Sequence, residues 1–137
     1  MTAKEYLRQV YKLDRRIRIT IGKAEKLRAM LEYSPPSAEG TGGGSTADRM
    51  PDMISKIMEY ERKADELRAK YIDIFLEVEK VILTVKDSSE REVLERRYLL
   101  FQKWDQIADE MSYTERRVYQ LHGNALKKIS LNFSIEV

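Results

Sequence analysis

The sequence contains no cysteine and only one histidine, His122, and these two shortages exclude several classes of protein. Without cysteine the chain can form no disulfide, no thiolate nucleophile and no zinc–thiolate site. A single histidine argues against a histidine-rich metal site and against an ordinary Ser-His-Asp triad. Because the sequence offers no constellation of catalytic residues either, we expect no enzyme activity, no cofactor and no bound metal ion.

Long hydrophobic runs are also lacking, since no apolar stretch reaches the roughly 18 residues that a membrane-spanning helix needs. The segment MTAKEYLRQVYKLDRR has no apolar core of the kind found in secretory signals. The absence of cysteine fits a reducing compartment. We therefore expect a cytoplasmic protein without a membrane partner.

Glycine and proline are scarce, with six and three residues, and most of them are concentrated in one segment. Residues 33–48 contain two of the prolines and four of the glycines. Such a segment cannot continue a helix and has little apolar surface to bury, so it predicts a flexible loop. The loop is either a plain connector or a recognition segment that becomes ordered when a partner binds.

Neither sign of charge dominates the composition, because the chain has 25 basic and 23 acidic residues and a net charge of +2. This balance gives no overall indication of nucleic-acid binding, so any basic surface has to be local. Residues 113–131 contain four basic residues and one acidic residue, whereas residues 88–112 contain four and six. Residues 1–32 contain nine basic and four acidic residues, and we interpret these charges as a solvated helix face.

On both sides of the loop, apolar residues recur at the heptad spacing of packed helices. The first series spans residues 3–31 and the second spans residues 50–85. They predict an all-α protein with helices at about residues 2–32 and 50–86. Because each apolar face has to be covered, we expect the helices to form a long antiparallel hairpin of residues 1–87.

Charged residues interrupt both series, at Asp14 and Arg28 in the first and at Glu61 and Arg68 in the second. In an antiparallel pair Asp14 comes close to Arg68, and Glu61 comes close to Arg28. These residues can then form ion pairs that fix the register of the helices. Alternatively, their long side chains reach past the seam into water, or Asp14 pairs with Arg18 one turn away.

Shorter helices are predicted after the hairpin. Ser89 and Glu92 fit a capping box that opens a helix of about residues 89–100. A two-turn helix of residues 104–111 follows. Thr114 is a suitable N-cap for a final helix.

The spacing of small and apolar residues in these helices fits a helix-turn-helix. Ala108 is small enough for two helices to cross closely over a short turn, and Val118 can lock the second helix onto the first. The second helix then presents its N-terminal outer face to the major groove of DNA. We therefore predict a DNA-binding helix-turn-helix domain at residues 88–130, followed by a tail at residues 131–137.

The candidate DNA-binding residues lie on the outer face of this final helix. An arginine can form two hydrogen bonds with guanine and a glutamine can form two with adenine, while lysines suit phosphates. The candidates are Thr114, Glu115, Arg116, Arg117, Tyr119, Gln120, Lys127 and Lys128.

Three neighbouring residues have structural interpretations. Trp104 faces Ile107 and Ala108, so we expect it in the core rather than stacked on a base. His122 is expected to be a partly exposed helix residue beside Gly123. Gly123 costs about 1 kcal/mol of helix stability relative to alanine, so we expect it either to permit close packing or to bend the helix.

Residues 104–129, WDQIADEMSYTERRVYQLHGNALKKI, resemble the region-four helix-turn-helix of bacterial sigma factors, which binds promoter DNA. The preceding LERRY of residues 94–98 resembles the helix before that motif. The whole chain resembles a family of small proteins encoded by phages and integrated elements of Gram-positive bacteria. Some members of that family are similar to autolysin-regulator and late-gene transcriptional activators.

This resemblance implies a transcriptional regulator of the late-gene activator type, in the cytoplasm of a bacterial host. It places Glu115, Arg116 and Gln120 at base-reading positions. The residues that it places near the DNA backbone are Arg117, Tyr119 and Lys127.

Double-stranded DNA is accordingly the expected partner, and the hairpin is expected to contact either a second copy of the chain or RNA polymerase. We favour a dimer because two half-sites raise the affinity. Two other functions remain open. A small DNA-packaging subunit predicts a ring-like oligomer, and a helical adaptor without DNA predicts an acidic or apolar outer face on the final helix.

Overall fold

A computed structural model of the chain describes residues 1–33 and 46–137, and every regular element within these residues is helical. The predicted all-α class is therefore confirmed. The predicted loop at residues 33–48 lies, apart from its two ends, outside the described residues. No helix in the described part of the chain is long and apolar enough to cross a membrane.

Six α-helices and one π-helical turn follow one another in the described residues. They are α1 (Ala3–Leu7), α2 (Gln9–Glu32), α3 (Thr46–Ile82), α4 (Ser88–Leu94), the π-helical turn (Glu95–Leu99), α5 (Trp104–Met111) and α6 (Glu115–Phe133).

The two long helices differ in their bounds from the predicted segments. The predicted helix at residues 2–32 is divided at Arg8, and the second begins at Thr46 rather than at residue 50. The second also ends at Ile82 instead of residue 86. Its end has a local cause, because the hydroxyl of Thr84 donates a hydrogen bond of 2.6 Å to the Val81 carbonyl.

The predicted capping box at Ser89 is wrong. The N-cap of α4 is Asp87, whose carboxylate accepts a hydrogen bond of 2.9 Å from the Glu90 N–H. Aspartate is among the preferred N-cap residues, and its carboxylate also interacts favourably with the helix dipole. The predicted helix of residues 89–100 changes to π-helical geometry at Glu95, where the Leu100 N–H donates to the Glu95 carbonyl over 3.1 Å.

The described chain forms two compact units, one of residues 1–13 and 71–137 and the other of residues 14–70. The predicted domains, a hairpin at residues 1–87 and a DNA-binding domain at residues 88–130, have other boundaries than these units. That division stays a prediction.

Two apolar clusters form the interior of the first unit. The larger is built from α1, the start of α2, the end of α3 and the segment after it, α4, the π-helical turn and the second half of α6. Its members are Ala3, Leu7, Val10, Val78, Ile82, Val85, Leu94, Tyr98, Leu99, Ala125, Leu126 and Ile129. The smaller joins α4, α5 and the first half of α6: Val93, Ile107, Ala108, Val118 and Leu121. Ala108 and Val118 therefore lie in one apolar cluster, as their spacing predicted.

The last residues are attached to α1. α6 continues to Phe133, beyond the predicted end at residue 130, and stops at Ser134, which has a positive φ of 53°. The carbonyl of Glu136 then accepts a hydrogen bond of 2.7 Å from the Ala3 N–H. Ile135 packs against the larger apolar cluster. The predicted tail therefore contributes to the core of this unit.

In the second unit, α2 and α3 bury apolar side chains and carry several ion pairs. The predicted pair between Arg28 and Glu61 is confirmed. The predicted pair between Asp14 and Arg68 is wrong, because Asp14 pairs with Arg18 at 3.0 Å and Arg68 with Asp65 at 2.9 Å. Partners one turn away on the same helix require less ordering than partners on another helix.

Gly123 lies in α6 with nothing within 4 Å of the position that a Cβ would occupy, so close packing does not explain it. We expect Gly123→Ala to raise the free energy of unfolding by about 0.5–1 kcal/mol, since glycine is the weaker helix former. Urea unfolding of the full chain measures the change. Gly22→Ala is the matched control because Gly22, in α2, has equally open surroundings. Stabilisation by Gly22→Ala but not by Gly123→Ala would show that α6 needs the freedom of a glycine.

Candidate nucleic-acid interface

The start of α6 is fixed by a side-chain cap and a tight turn. Thr114 has extended backbone angles, and its hydroxyl accepts a hydrogen bond of 3.1 Å from the Arg117 N–H, which confirms it as the N-cap. Before it, Ser112 adopts a left-handed conformation at φ 57°, and the Tyr113 N–H donates to the Ala108 carbonyl over 2.9 Å. This geometry ends α5 and lets α6 begin within three residues.

The first two turns of α6 have one buried and one exposed face. Val118 and Leu121 are buried in the smaller apolar cluster, and the predicted DNA-binding side chains of these turns lie outside it. Those side chains are Glu115, Arg116, Arg117, Tyr119 and Gln120, and all five are exposed. The structure therefore brings these candidates together beside the capped N-terminus of a helix, where free N–H groups and the helix dipole favour anions.

The charged candidates of this face have no competing partner in the described residues. The side chains of Glu115, Arg116, Arg117 and Gln120 make no hydrogen bond or ion pair with other residues in ranges 1–33 and 46–137. Their hydrogen-bonding groups are therefore available to a ligand.

Tyr119 is part of an ordered row of side chains. It is 50% exposed, and its ring centre lies 5.1 Å from that of Trp104. The guanidinium of Arg97 lies over the ring of Trp104, 4.5 Å from the ring centre. Arg97 also donates a hydrogen bond of 2.9 Å to the Gln102 carbonyl. Trp104 is partly buried against the smaller apolar cluster, as expected. No pattern in the sequence indicates Arg97, because the π-helical turn determines where that side chain lies.

The two lysines near the end of α6 have different surroundings. Lys127 is exposed and has no ion-pair partner in the described part of the chain. Lys128 forms an ion pair with Glu90 of α4, whose side chain is only 7% exposed. Its predicted phosphate contact would therefore compete with a carboxylate of the same chain.

His122 is buried, so the prediction of a partly exposed residue is wrong. It is 8% exposed, and its Nε2 lies 2.6 Å from the hydroxyl of Tyr98, which satisfies the imidazole inside the protein. Burial, together with the smaller effect of the positive charges of Lys4 and Arg97, lowers the pKa of His122 to about 4. The side chain is therefore neutral at physiological pH.

No group of three histidine, aspartate or glutamate side chains in the described residues is placed to bind a metal ion. No protein-family model, curated protein or solved structure matches the chain. The resemblance to sigma factors and phage regulators therefore stays a prediction. The surface at the start of α6 has to be interpreted from its own chemistry.

The ion pair of Lys128 predicts a difference in stability between two adjacent lysines. Lys128→Ala leaves the buried carboxylate of Glu90 without its partner, so we expect a loss of about 1–3 kcal/mol in the free energy of unfolding. Lys127→Ala removes an exposed charge and should change it by less than about 0.5 kcal/mol. Urea unfolding at neutral pH compares them, and equal effects would contradict the role of Lys128.

The burial of His122 predicts a pH dependence of stability. Its pKa in the folded chain, about 4, is below the ordinary value of 6.5, so between these values the unfolded chain binds more protons than the folded one. The stabilisation from neutral His122 is therefore complete above pH 6.5 and is lost as the pH falls to 4, by about 3 kcal/mol in total. The free energies of unfolding of wild type and His122→Gln, compared across this pH range, measure the loss. A constant difference between the two would contradict the burial.

Proposed function

We propose that the chain is a sequence-specific DNA-binding transcriptional regulator that inserts the start of α6 into the major groove. The observation that carries this proposal is the exposed cluster of Arg116, Arg117 and Gln120 at a capped helix N-terminus. An arginine and a glutamine on one exposed helix face are the side chains that read guanine and adenine.

The arrangement of α5 and α6 supports a helix-turn-helix like that of sigma-factor region four. The two helices are separated by only three residues and share an apolar cluster that contains Ala108 and Val118. In such motifs the first helix supports the second, whose N-terminal residues reach the base edges.

The spacing along α6 supports contacts with neighbouring base pairs. Arg116 and Gln120 are one turn apart, which separates them by about 6 Å along the helix axis. Glu115 can accept a hydrogen bond from a cytosine amino group. The hydroxyl of Tyr119 and the charges of Arg117 and Lys127 suit phosphates, which would position the helix without reading sequence.

A hairpin of α2 and α3 is the proposed element for self-association or for contact with RNA polymerase. Its antiparallel direction is supported within residues 14–70, because Leu27 lines a groove with Met53, whereas Thr20 lines a groove with Lys63. Later in α3, Ile72 and Leu76 are exposed, as is Leu83 directly after the end of that helix. Exposed apolar side chains at helical spacing are typical of helix association, and we propose a dimer of a late-gene-type activator.

Binding to DNA fragments from the genome that encodes the chain, measured at two salt concentrations, tests the proposal. Wild type should prefer one fragment and bind less tightly at higher salt. Arg116→Ala should weaken binding to that fragment by about tenfold or more and reduce discrimination. Arg15→Ala removes an exposed arginine of α2 and should leave both the affinity for that fragment and the discrimination between fragments unchanged.

The other outcomes identify other functions. Equal binding to all fragments would contradict specific regulation, and together with a ring-sized oligomer in light scattering it would indicate a packaging subunit. No binding to any fragment at low salt would indicate an adaptor. Arg116→Ala binding as tightly and as selectively as wild type would contradict the assigned reading surface.

A further inference from the structure

A second candidate ligand site is lined by residues outside α6. Within the unit of residues 1–13 and 71–137, a cleft of about 380 Å³ opens between α1, the start of α2, the π-helical turn and the segment before α5. Its charged lining is entirely basic: Lys4, Arg8, Arg97 and Lys103. Its remaining lining residues are aromatic: Tyr11, Tyr98 and Phe101.

The four positive charges of this basic cleft are not neutralised by carboxylates. None of them forms an ion pair with an acidic side chain in the described residues 1–33 and 46–137. Like charges gathered without counter-charges repel one another, which an anionic ligand would relieve. Their field also reaches the interior, where Lys4 and Arg97 help to lower the pKa of His122.

The backbone around the basic cleft is unusual at two points. Arg97 and Tyr98 belong to the π-helical turn, and Phe101 has a positive φ of 58°. Positive φ is rare for bulky side chains, and both features are concentrated at functional sites in proteins. The ring of Phe101 is held edge-on by that of Tyr11, with 5.4 Å between their centres.

We propose that the basic cleft binds a nucleoside phosphate. The phosphate would lie among Arg8, Arg97 and Lys103, because arginine and lysine are the preferred partners of phosphate oxygens. The base would lie against the exposed ring of Tyr11 beside Phe101, since aromatic side chains stack on bases of any sequence. The cleft volume falls within the roughly 300–1,000 Å³ of small-molecule sites.

The same chemistry fits a free nucleotide and a single nucleotide of a DNA strand. Neither source requires that α6 bind DNA, because the residues of the basic cleft are separate from those of the proposed reading surface. Trp104 connects the two places, since it contacts Arg97 on one side and Tyr119 on the other. Because Trp104 is the only tryptophan of the chain, its fluorescence reports on occupancy of the cleft.

Titration of the full chain with adenosine monophosphate, followed by Trp104 fluorescence and calorimetry, tests the proposal. Wild type should bind it, and Arg8→Ala or Lys103→Ala should weaken binding by about tenfold, the loss expected for a hydrogen bond to a charged group. Lys12→Ala removes an exposed lysine outside the cleft and should leave binding unchanged. Inorganic phosphate and adenosine should each bind more weakly than the nucleotide.

The single histidine gives an independent readout. A bound phosphate offsets the charges of Lys4 and Arg97, so NMR titration should show the pKa of His122 rising from about 4 when the nucleotide is present. An unchanged His122 pKa at saturating nucleotide would contradict binding in the cleft.

A single-stranded oligodeoxyadenylate separates the two sources. If the oligonucleotide shows Arg8-dependent binding and the free nucleotide shows none, a nucleotide of a DNA strand is the ligand. No Arg8-dependent binding of either would overturn the proposal, and so would inorganic phosphate binding as tightly as the nucleotide. Arg116→Ala should reduce discrimination between duplex fragments while leaving nucleotide binding intact, so the proposed function and this inference fail independently.

Discussion

The burial of one face of α6 is the constraint on which the rest of the first unit depends. Val118 and Leu121 anchor the first half of the helix in one apolar cluster, and Ala125 and Ile129 anchor the second half in another. A helix fixed along its length cannot rotate to cover its polar face. The exposed face at its start therefore has one orientation, as the proposed recognition of base edges would require.

The hydrogen bond between His122 and Tyr98 makes this burial possible. A polar ring in the interior needs a partner, and the Tyr98 hydroxyl supplies it from the π-helical turn. The same turn brings Arg97 onto Trp104. One local departure from α-helical geometry thus satisfies a buried imidazole, orders the tryptophan beside Tyr119 and builds one wall of the basic cleft.

The sequence predicted what short-range periodicity and capping chemistry determine. The buried faces of α5 and α6 follow from the spacing of residues such as Ile107 and Val118, and the cap follows from Thr114. It did not predict the partners of His122 or Lys128, because those contacts join residues far apart in the chain. It misplaced the cap of α4 because Asp87 and Ser89 are both good capping residues, and local pattern alone does not choose between them.

If α6 binds DNA as proposed, fewer of its charges are available to phosphates than the sequence indicates. Lys128 is engaged by Glu90, and Glu115 opposes the remaining cations, Arg116, Arg117 and Lys127. So few phosphate contacts would give weak binding to DNA by one copy, with only a shallow dependence on salt. In the proposed function, discrimination would then come from the hydrogen-bond geometry of Arg116 and Gln120, and sufficient affinity from a second copy or a second bound protein. Under the proposed function, the exposed apolar residues Ile72 and Leu76 of α3 are the candidates for such an association.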